Sequence, residues 1–434
     1  MALLALPSTA PGATDFLWAT GIEDTFISQP DRRTGRILDE YALTQHYAQW
    51  DADLALIAAL GVPTARYGIP WYRVEPRPGE FDWAWSDRVL ETLVNRHRIE
   101  PIIDLVHYGT PGWLEGSFLN PDYPARVAAY ARAFAARYKG LCSWYTPLNE
   151  PRIHAWYAAR LGWWPPYRRT WGDFARALVA LSRGIVETQR AVREVEPDAV
   201  FVHVDATDLY HAEEEALAEE TALRQEIVFC ALDLALGRIG EAHPLYGWLR
   251  RHGISRETLE WFCRQETKPD IIGYNIYPMF SAKYVGRAAG GGVQVKIKAC
   301  WTETFTALTR MYAQRYGLPV MCTETASNGP PWKRIRWIEE TAQQVNRLRA
   351  EGVPVVGYTY WPLFSLVGWA YQRSRLPLEN YLIDMGLWDL RPDPNRPDIL
   401  LRQPTPAVEA YRKIVVAPVA PLGAPDAARA PGLA

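Results

Sequence analysis

The stretch "CSWYTPLNE", Cys142 to Glu150, decides how this chain is read. A short apolar, β-prone run ends abruptly in an amide and a carboxylic acid, Asn149-Glu150, and Pro151 then stops the extended segment. The same pattern, an apolar run with polar or aromatic residues at its C-terminal end, recurs along the whole chain. The runs are "FLWATGIE" from Phe16, "PTARYGIPW" from Pro63, "EPIIDLVHY" from Glu100, the opening stretch from Cys142, "AVFVHVDAT" from Ala199, "DIIGYNIYP" from Asp270, "PVMCTETAS" from Pro319 and "VVGYTYWPL" from Val355.

Amphipathic helical patterns separate these runs. "TQHYAQWDADLALIAALG" repeats apolar residues at three- and four-residue spacing and stops at Gly61, a natural helix terminator. "NPDYPARVAAYARAFAARY", "GDFARALVALSRGIVETQRAVREVEP" and "RIRWIEETAQQVNRLRAEG" read the same way, the last ending on basic residues and Gly352. Nearly all-apolar strands alternating with helices imply a parallel sheet covered on its outer side. Eight such units without a break in composition predict one (β/α)8 TIM barrel over residues 16–416. Residues 1–15 form a lead-in, and the Ala/Pro-rich stretch 417–434 is expected to be disordered. A doubly wound sheet would need a glycine-rich first turn such as GxGxxG, which is absent. "RAAGGGVQV" follows the sixth run and is read as a flexible loop.

Composition excludes several function classes. The chain has 434 residues, 48% hydrophobic and 22% charged, with 47 basic against 49 acidic residues and a net charge of −2. No charge excess points to nucleic acid or an anionic membrane, and neither is expected as a partner. No apolar run approaches the length of a membrane span, and "MALLALPSTAPGA" lacks the basic flank of a signal peptide. Five single cysteines, none in a CxxC pair, suit reduced thiols in a cytoplasmic protein. No His, Asp or Glu cluster has metal-ligand spacing, so neither a metal nor a cofactor is expected. The 19 tryptophans suit both core filling and stacking on sugar faces.

Chemistry in a barrel gathers at the C-terminal ends of the strands. Those ends carry Glu23 and Asp24, Arg66 with Trp71, His107, Asn149 and Glu150, His203 and Asp205, Asn275 and Tyr277, Glu324, and Trp361. Glu150 and Glu324 lie 174 residues apart, at the ends of runs four and seven. Two such carboxyls facing one another can cleave a glycosidic bond, one protonating the leaving oxygen and the other stabilising or attacking the anomeric carbon. An arginine beside one carboxyl would depress its pKa, while burial raises that of its partner. His203, His154 and His46 read as structural or core histidines.

From about Phe16 to Tyr411 the chain resembles glycoside hydrolase family 1, the β-glucosidase-like retaining enzymes with a (β/α)8 fold. "TPLNEP" is similar to the family's TFNEP motif and "CTETAS" to its I/V-T-E-N-G motif. "ARYGIPWYRVEP", "IEPIIDLVHYGTP" and "PDIIGYNIYP" resemble further family segments. The resemblance implies Glu150 as acid/base and Glu324 as nucleophile. It places Asn149 on the sugar 2-hydroxyl, Arg66 and Tyr277 beside Glu324 to keep it ionised, and His107 on a sugar hydroxyl. Trp361 would floor the subsite, Trp369 would stand at the sugar's far edge, and Asn275 would line the site.

Three departures accompany the resemblance. The family's YQxEG glutamine, which grips two sugar hydroxyls, has no counterpart in "FLWATGIEDTFI", so Glu23 or Asp24 is the candidate for that place. The family's WSLxDNFEW reads "WPLFSLVGW", and the glutamate that binds the C4 and C6 hydroxyls aligns with Gly368. "TETAS" replaces TENG, and Tyr108 stands for the tryptophan of HW. Because a site built around a hydroxyl discriminates by that bond, these losses imply a glycone other than plainly held glucose. The expected partner is a small glycoside or oligosaccharide. Two other readings stay open, a transglycosidase using the same glutamates with an alcohol acceptor and a non-catalytic sugar-binding barrel. The oligomeric state, the sugar and the aglycone also stay open.

Overall fold

The eight apolar runs become strands because residues such as Ile102, Val202, Val204 and Val356 suit a sheet buried on both faces. The computed structural model describes residues 4–423. Its barrel strands are β1 (Leu17–Gly21), β2 (Thr64–Gly68), β3 (Glu100–Asp104), β4 (Trp144–Thr146), β5 (Val200–Ala206), β6 (Ile271–Asn275), β7 (Val320–Thr325) and β8 (Val355–Tyr360). Each pairs in parallel with the next, and β8 pairs with β1 to close the barrel. The fold is a (β/α)8 barrel.

The periodic segments form the covering helices, including His46–Ala59, Tyr123–Tyr138, Trp171–Val195 and Pro331–Ala350. Trp171–Val195 begins where the Thr170 hydroxyl accepts the Asp173 N–H at 3.0 Å, an N-cap that satisfies one of the helix's free donors. Among the described residues, no helix is long and apolar enough to cross a membrane. All five cysteines are free.

The core divides in two. A large shell lies between barrel and helices, and a smaller cluster fills the barrel itself: Leu17, Ala19, Ile102, Trp144, Val202, Val204, Ile271, Met321 and Val356. Those residues come from every strand but β2. Trp144 closes the floor by donating its indole N–H to the Leu4 carbonyl at 3.0 Å. Toward the strands' C-terminal ends the filling turns polar, with Arg66, Asp104 and Asn275 buried there.

Two segments depart from the sequence reading. "RAAGGGVQV" is no flexible loop, because Ala282–Arg287 and Val293–Lys298 pair as an antiparallel hairpin with the glycines in its turn. The alternation Val-Gln-Val-Lys-Ile-Lys is that of a strand with one solvated face. Of the tail expected to be disordered, residues 417–423 run against the helix Pro331–Ala350 and the lead-in. Ala420 N–H donates to Asn346 Oδ1 at 2.8 Å, and Leu422 N–H donates to the Ala13 carbonyl at 2.9 Å. Residues 424–434 lie outside the described residues.

Candidate active site

Three backbone features aim side chains into the barrel mouth. The register of β7 against both neighbours slips just before Glu324, a bulge that re-aims the strand end. Glu150 and Tyr108 both take left-handed backbone, with φ of 45° and 71°. For residues with a Cβ this conformation is costly and persists where surrounding contacts hold it. Gly21 ends β1 because a Cβ there would fall 2.1 Å from the Trp361 ring.

Glu324 is buried and both its oxygens are held. Arg66 Nη1 donates to Oε1 at 2.6 Å, and the Tyr277 hydroxyl donates to Oε2 at 2.8 Å. Glu150 is buried too, but its donors are neutral: the Tyr108 hydroxyl on Oε2 and Asn275 Nδ2 on Oε1 at 2.7 Å. Asn275 is itself fixed by the Thr323 hydroxyl, which donates to its Oδ1 at 2.7 Å. Asn149 lies between Arg66 and His107, accepting from Arg66 Nη2 at 3.1 Å with its Nδ2 2.9 Å from His107 Nε2.

The remaining candidates surround this pair. His107 stacks parallel to Trp361 at 5.9 Å between ring centroids, and Trp361 also covers the Arg66 guanidinium at 4.8 Å. Trp361 donates its indole N–H to Glu23 Oε2 at 3.1 Å, and the Thr25 hydroxyl donates to Glu23 Oε1 at 2.6 Å. Glu23 is thus committed to its neighbours. Asp24 lies behind His107, its Oδ1 2.6 Å from Nδ1. Trp369 meets Tyr108, Tyr157 and Trp164 edge-on, at 5.3, 5.1 and 5.0 Å.

Sequence reasoning missed Asp104, Tyr157 and Glu40. Asp104 Oδ2 accepts Arg66 Nη2 at 2.5 Å. Its signal was available: an acid inside the apolar run "EPIIDLVHY" requires a buried cation. Tyr157 and Trp164 stack at 4.7 Å in the aromatic segment after β4. Glu40 accepts the Val367 N–H at 3.1 Å from fully buried surroundings, and no local pattern announced it.

The electrostatics correct one expectation. Burial pushes Glu324 up to about 8, against the pull of Arg66 and with the push of Glu150. Arg66 does not win because burial is the larger effect, and its guanidinium is also shared with Asp104. Burial also raises Glu150, opposed by the hydrogen bonds from Tyr108 and Asn275. Burial lifts Asp24 to about 7. It works against a charged His107, yet Asp24 and Asp104 outweigh it and hold the imidazolium pKa well above the usual value. Burial thus raises Asp24, Glu150 and Glu324 together, although Arg66, His107 and, for Glu150, Arg152 pull the other way.

The fold also gathers acid–histidine groups that sequence spacing did not show. Asp24, Asp104 and His107 form one, and Glu226, Asp233 and His243 another. Arginine already supplies the cation in each, Arg66 in the first and Arg315 in the second, where it lies 2.7 Å from Glu226 and 2.6 Å from Asp233. His203, by contrast, is a core residue whose burial depresses it to about 4. His154 packs edge-on against Phe118 at 4.4 Å, and His46 bridges Asp53 and Tyr67.

A (β/α)8 barrel with two buried glutamates at the ends of β4 and β7 defines the class of barrel glycoside hydrolases. The model of glycosyl hydrolase family 1 matches residues 18–227. β-Glucosidase A of Thermotoga maritima is 24% identical over 360 residues, covering 76% of this chain and 80% of the relative. An aryl-phospho-β-D-glucosidase of Bacillus subtilis is 23% identical over 404 residues, 81% of this chain and 84% of the relative. A solved β-glucosidase from Thermotoga maritima, in complex with glucoimidazole, superposes with a TM-score of 0.78 at 19% identity, over 93% of this chain and 98% of the other. The chain is a glycoside hydrolase, similar in its first half to glycosyl hydrolase family 1 and along most of its length to these β-glucosidases.

Proposed function

We propose that the chain hydrolyses a β-O-glycosidic bond with retention of configuration, with Glu324 as nucleophile, Glu150 as general acid/base, and no cofactor. The observation that carries this assignment is the unequal company of the two carboxyls. Glu324 receives a guanidinium and a phenol, whereas Glu150 receives only a phenol and an amide. Burial raises both carboxyls, so the pair holds one proton between them, and the guanidinium on Glu324 favours the charge there and the proton on Glu150.

In the first step a Glu324 oxygen bonds to the anomeric carbon as the glycosidic C–O bond breaks. The leaving oxygen takes the Glu150 proton. In the second step water attacks the anomeric carbon, Glu150 accepts the water's proton, and the glycosyl–Glu324 ester breaks with its electrons returning to the carboxylate. Asn149, pinned between Arg66 and His107, is placed to hold the sugar 2-hydroxyl, and Trp361 to floor the ring. Both Glu23 oxygens already accept protein donors, and Asp24 is turned to His107. At Gly368 a side chain would start 3.1 Å from Ile383. These features support a glycone that lacks or masks the C4 or C6 hydroxyl. A relative from Bifidobacterium breve, 29% identical over 35% of this chain, is named a bifunctional β-D-glucosidase/β-D-fucosidase, and fucose is a 6-deoxy sugar.

Nitrophenol release from aryl glucosides, galactosides, fucosides, xylosides, mannosides and glucuronides in both anomeric forms tests the proposal, with Glu324→Gln as control. Cleavage of one β-glycoside with a dead variant is expected. Preference for plain glucosides would overturn the glycone assignment, and turnover by the control would overturn the nucleophile.

A further inference from the structure

Tyr108 stands where its hydroxyl can do one thing. The segment after β3 is held against Phe26: the Phe26 N–H donates to the His107 carbonyl at 3.1 Å, and a Cβ on Gly109 would lie 1.5 Å from the Phe26 carbonyl oxygen. That packing maintains left-handed backbone at Tyr108, which a bulky aromatic rarely adopts. The ring is then boxed by His107, His154, Trp164 and Trp369, at 4.7, 5.8, 5.1 and 5.3 Å between centroids. Its hydroxyl is directed onto Glu150 Oε2.

We propose that Tyr108 is a positioning residue for Glu150: its hydroxyl fixes Oε2, orients the carboxyl toward the leaving oxygen and supports the carboxylate left when the proton departs. The inference rests on the reading of Glu150 as acid/base. A ring that only filled space would leave its hydroxyl unused or send it to a backbone carbonyl, as Tyr360 does to Met385 at 2.7 Å. Here two strained residues, Tyr108 and Glu150, are aimed at each other from adjacent strand ends.

Other groups act on Glu150 through space. His107 and Arg152 favour its charge, while Glu324 is itself raised by it. Asp205, Tyr157 and Tyr277 also face it. Among the described residues, only Tyr108 and Asn275 hydrogen-bond its carboxyl, and of these only Tyr108 can be stripped of its donor without changing shape or charge.

The test is Tyr108→Phe, which keeps the ring in its box. Losing a donor from a charged group moves the acid's titration upward, so the basic limb of kcat/KM should rise by about one to two pH units. Site-specific 3-fluorotyrosine at position 108, a stronger donor of nearly equal size, should move the limb down, and it serves if the Phe variant fails to fold. Titration of the carboxyl carbon of isotopically labelled glutamate, with the Glu150 signal assigned through Glu150→Gln, reads the same shifts without turnover. It therefore separates failure of this inference from failure of the glycosidase reading. A Glu150 titration that stays in place or moves the opposite way in these variants overturns the proposal.

Discussion

Arg66 divides one guanidinium between two acids from different strands. Nη1 lies 2.6 Å from Glu324 Oε1, and Nη2 lies 2.5 Å from Asp104 Oδ2. Asp104 thus competes with Glu324 for the same positive charge. In Asp104→Asn the charge is released to Glu324 and one nearby negative charge disappears, and both changes favour ionised carboxyls. Both limbs of the kcat/KM profile should move to lower pH by about one unit. Limbs that hold still would show that Arg66 is already fully effective at Glu324.

The pH optimum follows from the paired carboxyls. With both raised by burial and Glu324 reaching about 8, the pair holds one proton through neutral pH. Above about 8 that proton leaves, and nothing remains to protonate the leaving oxygen. Activity on substrates with poor leaving groups should therefore hold near neutrality and fall as the pH passes about 8. Initial rates across a buffer series check this, and a fall beginning below pH 6 would contradict it.

Glu150→Gln separates the two chemical roles. Glycosides with alkyl leaving groups should lose about 10²- to 10⁴-fold in kcat. Dinitrophenyl glycosides, whose leaving groups need no proton, should form the glycosyl-enzyme nearly as before and stall at its hydrolysis, visible as a burst of dinitrophenol. Equal losses on both substrates would contradict the acid role.

Arg349 ties three distant segments together at the barrel's other end. Its guanidinium donates to the carbonyls of Val355, Ala420 and Ala13 at 2.5, 2.8 and 2.8 Å. Arg349→Met removes all three donors and leaves buried carbonyls without partners. It should cost about 2–4 kcal/mol in urea unfolding and speed proteolysis of the lead-in, while kcat stays unchanged. A variant as stable as the parent would mean that water replaces the guanidinium.

How much of this was legible depends on the range over which each signal acts. Apolar runs and helical periodicity are local, so eight strands and their helices could be read in order. The hairpin of residues 282–298 is hard to read locally because its glycines have a loop's composition, while its strand alternation shows only once the two segments pair. Asn149-Glu150 announced itself because a charged pair at the end of an apolar run is conspicuous. Asp104 carried the same oddity but lay inside its run, and no sequence rule named its partner.

The amino-acid sequence by itself determined the alternation of strand and helix, the polar strand ends and the family resemblance, because each is written within one run or motif. Only the tertiary structure decided who holds whom: Arg66 divided between Glu324 and Asp104, Tyr108 on Glu150, Asp24 behind His107, Glu23 beneath Trp361. These pairs join different strand ends, so they exist only once the barrel closes. Their balance of burial against charge depends on how many acids share each cation, a count that no single segment contains.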